Sequence, residues 1–226
     1  MVQYPEQLLL NLSFPKSFAE ADFYQGACHN EAYTWVKNKD RWPYGVCLIQ
    51  GEKGSGKSHL CHIFAQLNQA LSIDETWNPA YLCKEEKYFY LEDVEQKIAH
   101  SSFEENLFHL LNWTHHNKGS LLITTHILPH NLPVHLKDLS SRLRAAPCVR
   151  IPQPDDATFT FLLAKQLYDR GLTLKPEALD FALRYCVRTY ESIGRIVRLL
   201  HTQQLNKKAE LSMRDIKHSL MEMEDT

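Results

Sequence analysis

The chain has 226 residues, which at roughly 150 residues per domain is one mid-sized unit plus an appendage. Hydrophobic residues make up 44%, enough to bury a core, so a mainly disordered chain is excluded. Lys plus Arg number 25 against 27 Asp plus Glu, a formal charge of −2, so the basic excess of a strong DNA binder is missing. The six cysteines form no C-x-x-C pair, which is the usage of reduced thiols in a cytoplasmic protein rather than of a disulfide framework. Glu6 precedes the first apolar stretch and no basic segment opens the chain, so no signal peptide is expected. The longest uncharged segment, residues 120–136, holds two prolines and three histidines and is too short and polar to span a membrane.

In chain order, residues 1–17 form a leader, QLLLNLSF then Pro15, that precedes any regular pattern. Helical spacing begins near Asn30–Asn38. Residues Tyr44–Gln50 (YGVCLIQ) have the length and composition of a buried strand. A glycine-rich turn follows, then a helix over Lys57–Gln69 with Leu60, Ile63, Phe64 and Leu67 on one face. Leu71–Asp74 reads as a short strand and Asn78–Cys83 as a helical turn. Lys87–Leu91 (KYFYL) is a strand whose Tyr88 and Tyr90 belong to the core rather than to a base-stacking platform. Phe103–His116 is an amphipathic helix with Phe103, Leu107, Leu110 and Leu111 as its stripe. Leu121–Thr125 and Cys148–Ile151 are further strands. Cys47, Cys61 and Cys148 lie inside apolar runs and are expected in the core.

Beyond Pro152 and Pro154 the pattern is all helical. Asp155 or Asp156 caps a helix running to about Arg170, and Gly171 stops it. Leu174–Cys186, Tyr190–Leu205 and Ser212–Leu220 follow. Strands alternating with helices imply a parallel sheet covered on both faces. The expected organisation is a leader at 1–17, an α/β domain at 18–152 and a helical domain at 153–226.

Gly51-Glu52-Lys53-Gly54-Ser55-Gly56-Lys57-Ser58 fits G-x-x-x-x-G-K-[ST], with a strand before it and a helix after it. Glycines let successive backbone N–H groups turn toward phosphate oxygens, and the helix N-terminus adds partial positive charge there. Lys57 is expected to reach the β- and γ-phosphates and the Ser58 hydroxyl to bind Mg²⁺. The predicted strand KYFYL ends in Glu92-Asp93, where an acid would hold Mg²⁺ and orient water. Glu92 stands at the metal-proximal place usually held by Asp, and Asp93 takes the water-polarising place. The histidines at 126, 130 and 135 share a loop, but no carboxylate or cysteine nearby in sequence completes a metal set.

With these residues in view, the chain resembles the bacterial replication initiator DnaA. GKSHLCHIF, which takes in His59, is similar to that family's GKTHLLH segment. Phe23-Tyr24-Gln25-Gly26 with Asn30 resembles the segment bordering its adenine pocket. Leu121–His126 with Pro129 is similar to its sensor 1 strand, and Leu139-Ser140-Ser141-Arg142-Leu143 to its arginine-finger box. The resemblance implies an AAA+ P-loop parallel-sheet domain followed by a small all-helical lid, binding ADP or ATP with Mg²⁺. It makes Gly51 through His59 the nucleotide-binding run and Arg142 the trans-acting finger, with Arg144 and Arg150 nearby. No basic recognition helix follows the lid region, so the DNA-binding domain of DnaA is not expected. In the leader, Gln7, Leu8, Leu10 and Leu12 resemble the hexapeptide by which bacterial proteins dock on the DNA polymerase III sliding clamp.

This combination is characteristic of the Hda (HdaA) family, the regulatory inactivators of DnaA. The resemblance implies a cytoplasmic regulator whose partners are the clamp and DnaA, with a homodimer allowed and no strong DNA contact. A helicase-loader or DNA-remodelling AAA+ ATPase is the alternative reading, and a P-loop kinase is disfavoured by the helical tail. Two sensor positions depart from the family. His126 replaces an Asp at the end of the sensor 1 strand. Glu191 stands at the sensor 2 arginine, with Arg195 and Arg188 as neighbours on that stretch. Together with Glu92 these departures suggest slow or no hydrolysis by the chain itself.

Overall fold

The computed structural model describes residues 18–79, 87–98, 101–207, 214, 216 and 217. The leader, with Gln7, Leu8, Leu10 and Leu12, lies outside the described residues, as does the end of the helical turn expected at Asn78–Cys83.

Five strands, β1 (Val46–Gln50), β2 (Leu71–Ser72), β3 (Tyr88–Leu91), β4 (Ser120–Thr125) and β5 (Cys148–Arg150), form one sheet in the order β2-β3-β4-β1-β5. Every pairing is parallel. The register sets Gln50 of β1 beside Thr125 of β4, and Leu91 of β3 beside Ile123 of β4. The segments leaving β1, β3 and β4 therefore emerge together at one edge, where ligands of parallel sheets bind.

Among the described residues, the helices that cover this sheet and extend beyond it include α1 (Ala27–Lys37), α2 (Lys57–Asn68), α3 (Val94–Lys97), α4 (Ser101–His116), α5 (Lys137–Ala145), α6 (Asp156–Tyr168), α7 (Pro176–Tyr185) and α8 (Tyr190–Lys207). Alternation along the strands feeds two cores. Cys47 and Ile49 face α1 and α2, whereas Val46 and Leu48 face α4 and α5. Phe103, Leu107, Leu110 and Leu111 are all buried, as their spacing predicts. Fully burying each such side chain contributes roughly 1.5–3 kcal/mol. The first core runs on through Phe159, Leu163, Ile193, Ile196 and Leu200, so the C-terminal helices pack on the α1–α2 side.

Several boundaries differ from the sequence expectation. β1 starts at Val46, because Tyr44 takes a left-handed turn conformation at φ 57° and is 68% exposed. Leu67 is 47% exposed, since α2 ends at Asn68 just beyond the sheet's cover. Cys148 is half-buried, because β5 is an edge strand. The Asp155 carboxylate does cap α6, accepting the Thr158 N–H at 2.7 Å. That helix ends at Tyr168.

Candidate nucleotide site

The 51–58 loop leaves β1 and feeds directly into α2. Gly54 and Gly56 sit at φ 87° and 91°, the left-handed region that glycine enters without a Cβ penalty. The turn leaves Lys57 5% exposed at the base of the loop and Ser58 exposed at the start of α2. Lys57 Nζ donates to the carbonyls of Gly51 at 2.9 Å and Glu52 at 3.0 Å. Burial pushes the Lys57 ammonium below its usual range, partly offset by the Asp93, Glu95 and Glu92 carboxylates. Ser55 Oγ is buried without a hydrogen-bond partner among the described residues. An orphaned hydroxyl of this kind costs roughly 1–3 kcal/mol, a cost that a polar ligand of the loop would relieve.

The loop is braced from two sides. His29 of α1, itself buried, holds the Ser55 carbonyl at 3.2 Å. Desolvation keeps that imidazole below its ordinary pKa, so it is neutral and donates Nε2–H. Tyr190, the first residue of α8, donates its hydroxyl to the Pro152 carbonyl at 3.2 Å and lies 3.4 Å from His29 Nε2. A Cβ built on Gly54 would stand 3.5 Å from Tyr190, so α8 meets the loop itself. Phe23 stacks on Tyr33 and edges onto His29 and His59, and Tyr24 stacks on Phe161 of α6 at 4.0 Å. The Phe23–Gly26 segment thus lies beside the loop, between α1 and the C-terminal helices. His59 is turned to this segment, its Nε2 2.8 Å from the Ala19 carbonyl.

Opposite the loop, the ends of β3 and β4 bring together side chains that are distant in sequence. Asp93 occupies the left-handed region at φ 49°, a conformation Asp tolerates better than most residues. Its N–H is held by Thr124 Oγ1 at 3.1 Å. His126 Nε2 lies 3.2 Å from Asp93 Oδ1 and 3.8 Å from Glu95 Oε1, and its Nδ1 lies 3.2 Å from Lys57 Nζ. Asp93, Glu95 and His126 have ligand atoms within 4.8 Å of one another. Both ring nitrogens of His126 are engaged, however, so the trio forms a hydrogen-bonded chain rather than an open chelate. The expectation that no carboxylate joins the loop histidines fails here. The fold delivers Asp93 and Glu95 to His126, and the buried Glu104 carboxylate of α4 to His135 at 3.0 Å. Glu95 carries one sequence signal, its place three residues past the strand-end acid Glu92. Glu92 is half-buried and accepts Lys97 through its carbonyl at 2.6 Å, leaving its carboxylate outside the chain that joins Asp93 to His126. Ser58 and Glu92 offer oxygen donors, the kind Mg²⁺ takes.

Arg142 is exposed on α5 with its guanidinium 5.1 Å from the centroid of Phe108 of α4. Arg144 and Arg150 are also exposed. Glu191 and Arg195 are exposed at the start of α8, and Arg188 is paired with Asp156. No helix among the described residues is long and apolar enough to cross a membrane.

No protein-family model matches the sequence. An uncharacterised protein of Haemophilus influenzae is 28% identical over 196 residues, covering 81% of this chain and 85% of its own. The replication initiator DnaA of Flavobacterium psychrophilum is 25% identical over 226 residues, covering 89% of this chain and 47% of its own. The chain thus spans about half the length of that initiator. Among solved structures, domain III of Thermotoga maritima DnaA superposes with a TM-score of 0.72 at 18% identity, over 91% of this chain and 96% of that one. AMPPCP-bound DnaA from Aquifex aeolicus superposes with a TM-score of 0.65 at 18% identity, over 82% of this chain and 67% of that one. The five-stranded parallel sheet in this order and these likenesses give the chain the AAA+ fold of DnaA domain III, with sequence similarity to DnaA over most of its length.

Proposed function

We propose that this chain is a nucleotide-binding regulator of replication initiation of the Hda type, which docks on the sliding clamp and stimulates hydrolysis of DnaA-bound ATP. The observation that carries this reading is one DnaA-like fold holding both a P-loop with a buried lysine and an exposed arginine, Arg142, in the finger box. Residues 51–58 take the phosphates of ADP or ATP, in keeping with AMPPCP bound to a DnaA of the same fold. Ser58 and Glu92 would hold Mg²⁺, which neutralises phosphate charge when bound. Residues 18–152 are the nucleotide domain, 153–226 the lid and 1–17 the leader, whose Gln7, Leu8, Leu10 and Leu12 engage the clamp in the cytoplasm. Arg142 is exposed on α5 beside Phe108, where it can meet a nucleotide held by a neighbouring subunit. A guanidinium there stabilises charge developing in phosphoryl transfer, an effect of about 10³–10⁵ in GTPase systems.

The test is a reconstituted DnaA–ATP hydrolysis assay with clamp on DNA. The chain should stimulate turnover only when clamp is present, and Arg142→Ala should lose at least ~100-fold of that stimulation while still binding ADP. Deleting residues 7–12 should abolish clamp binding and leave ADP binding intact. No stimulation by the intact chain refutes the reading, and salt-sensitive binding to single-stranded DNA would favour the helicase-loader class.

A further inference from the structure

The chain of contacts through His126 has a definite chemical polarity. Lys57 Nζ has three protons, and it meets the Gly51 carbonyl, the Glu52 carbonyl and Nδ1 of His126. An ammonium can only donate, so Nδ1 accepts. A carboxylate accepts, so Nε2 carries the ring proton and donates it to Asp93 Oδ1 at 3.2 Å. The ring is therefore held as one tautomer, with a carboxylate behind it and a lone pair turned toward the lysine of the phosphate cradle. Its place is fixed by the backbone as well. The His126 N–H donates to Glu95 Oε1 at 3.0 Å, and the His126 carbonyl accepts from Gln50 Nε2 at 3.0 Å. The side chain remains 27% exposed, so water reaches it. A lone pair turned toward the Lys57 ammonium and a carboxylate orienting the ring from behind are the arrangement of a base held by an acid.

We propose that His126, oriented by Asp93, is the general base for hydrolysis of ATP by this chain itself. The proposal rests on the reading of residues 51–58 as a nucleotide cradle. When phosphate takes Lys57 away from its present acceptors, Nδ1 is freed beside the terminal phosphoryl group. Water gives a proton to Nδ1 as its oxygen forms the new bond to the γ-phosphorus. The bond from that phosphorus to the β–γ bridging oxygen breaks, and its electron pair leaves on ADP. The imidazolium that results is balanced by Asp93 until its proton passes to solvent with release of inorganic phosphate. The histidine that breaks the sensor 1 pattern thus takes the proton from water, with the Asp93 carboxylate of the water-polarising place behind it. Asp93 acts here through His126, as a positioning residue.

The experiment is single-turnover ATP hydrolysis by the full chain with Mg²⁺, alongside calorimetric ADP binding to every variant. His126→Ala should lower the rate by about 100-fold or more, the scale of general-base catalysis. ADP affinity should stay within a few-fold of wild type. Added imidazole should restore a measurable part of the rate in His126→Ala, an outcome that a purely structural role would not give. Asp93→Asn should lower the rate and gain nothing from imidazole. His130→Ala, on the same loop but exposed, should match wild type. The proposal is overturned if His126→Ala turns over ATP at the wild-type rate, if imidazole restores nothing, or if wild type binds ATP without hydrolysing it. A wild-type chain that binds no adenine nucleotide would overturn the cradle reading, and this inference with it.

Discussion

Glu104 offers a quantitative test of how the start of α5 is supported. Its side chain is 3% exposed in the first turn of α4, yet it is a carboxylate. It accepts the backbone N–H of His135 at 3.0 Å and of Leu136 at 2.7 Å, and the His135 ring at 3.0 Å. These partners lie immediately before α5, which carries Arg142. Glu104→Ala orphans two backbone donors. Hydrogen bonds to a charged group are worth roughly 1.5–3 kcal/mol each, but they are not additive within one network. The His135 ring is 84% exposed and recovers water at little cost. A loss of about 3–4 kcal/mol is therefore expected, which for a chain of this size is about 6–16 °C in Tm.

The loss should also depend on pH. Burial by itself would raise the Glu104 pKa, but the N–H groups of His135 and Leu136 and the His135 ring outweigh it and hold the carboxyl below its ordinary value of 4.5. A depressed folded-state pKa gives stability that is complete above the unfolded pKa and disappears as pH falls through the folded value. Urea denaturation of wild type and Glu104→Ala from pH 7 down to pH 3 measures this directly. The gap between them should be full at pH 7 and narrow below about pH 4.5. A difference under about 1 kcal/mol at pH 7, or a gap unchanged by acid, would show that water already satisfies these donors.

Two further outcomes are expected. Gly54→Ala places a Cβ at φ 87° and 3.5 Å from Tyr190, so it should cost about 1–2 kcal/mol and weaken ADP binding together with stability, as read by calorimetry and thermal melting. Asp155→Ala removes the cap that accepts the Thr158 N–H at 2.7 Å and should cost about 1 kcal/mol in chemical denaturation, whereas Asp155→Asn should cost much less.

Legibility followed the range of the physics. α2, α4 and α6 were readable because their apolar spacing is local, and so was the Asp155 cap, which acts within three residues. Tyr44 was misplaced for a tertiary reason. Its apolar neighbours suggest strand, but the turn at Gly45 brings the backbone close to Gly119, where a Cβ on Gly45 would stand 2.3 Å from the Gly119 carbonyl. Leu67 was misplaced because helical periodicity does not report where the sheet beneath a helix ends. Tyr190 gave no local sign that it would rest on Gly54, since that contact depends on how α8 packs against α1 and the loop.

What the chain's own order of residues determined was the glycine-rich loop at 51–58. Eight consecutive positions supply its glycines, its lysine and its helix start, and backbone geometry within a turn needs no distant partner. What only the tertiary structure decided was the chemistry facing that lysine. His126 stands 69 positions from Lys57, and Asp93 and Glu95 sit on a different connection. They converge because β3, β4 and β1 run parallel in adjacent register, so their C-terminal ends meet at one edge. That register is set by the apolar faces packing on both sides of the sheet, far from the polar groups it assembles.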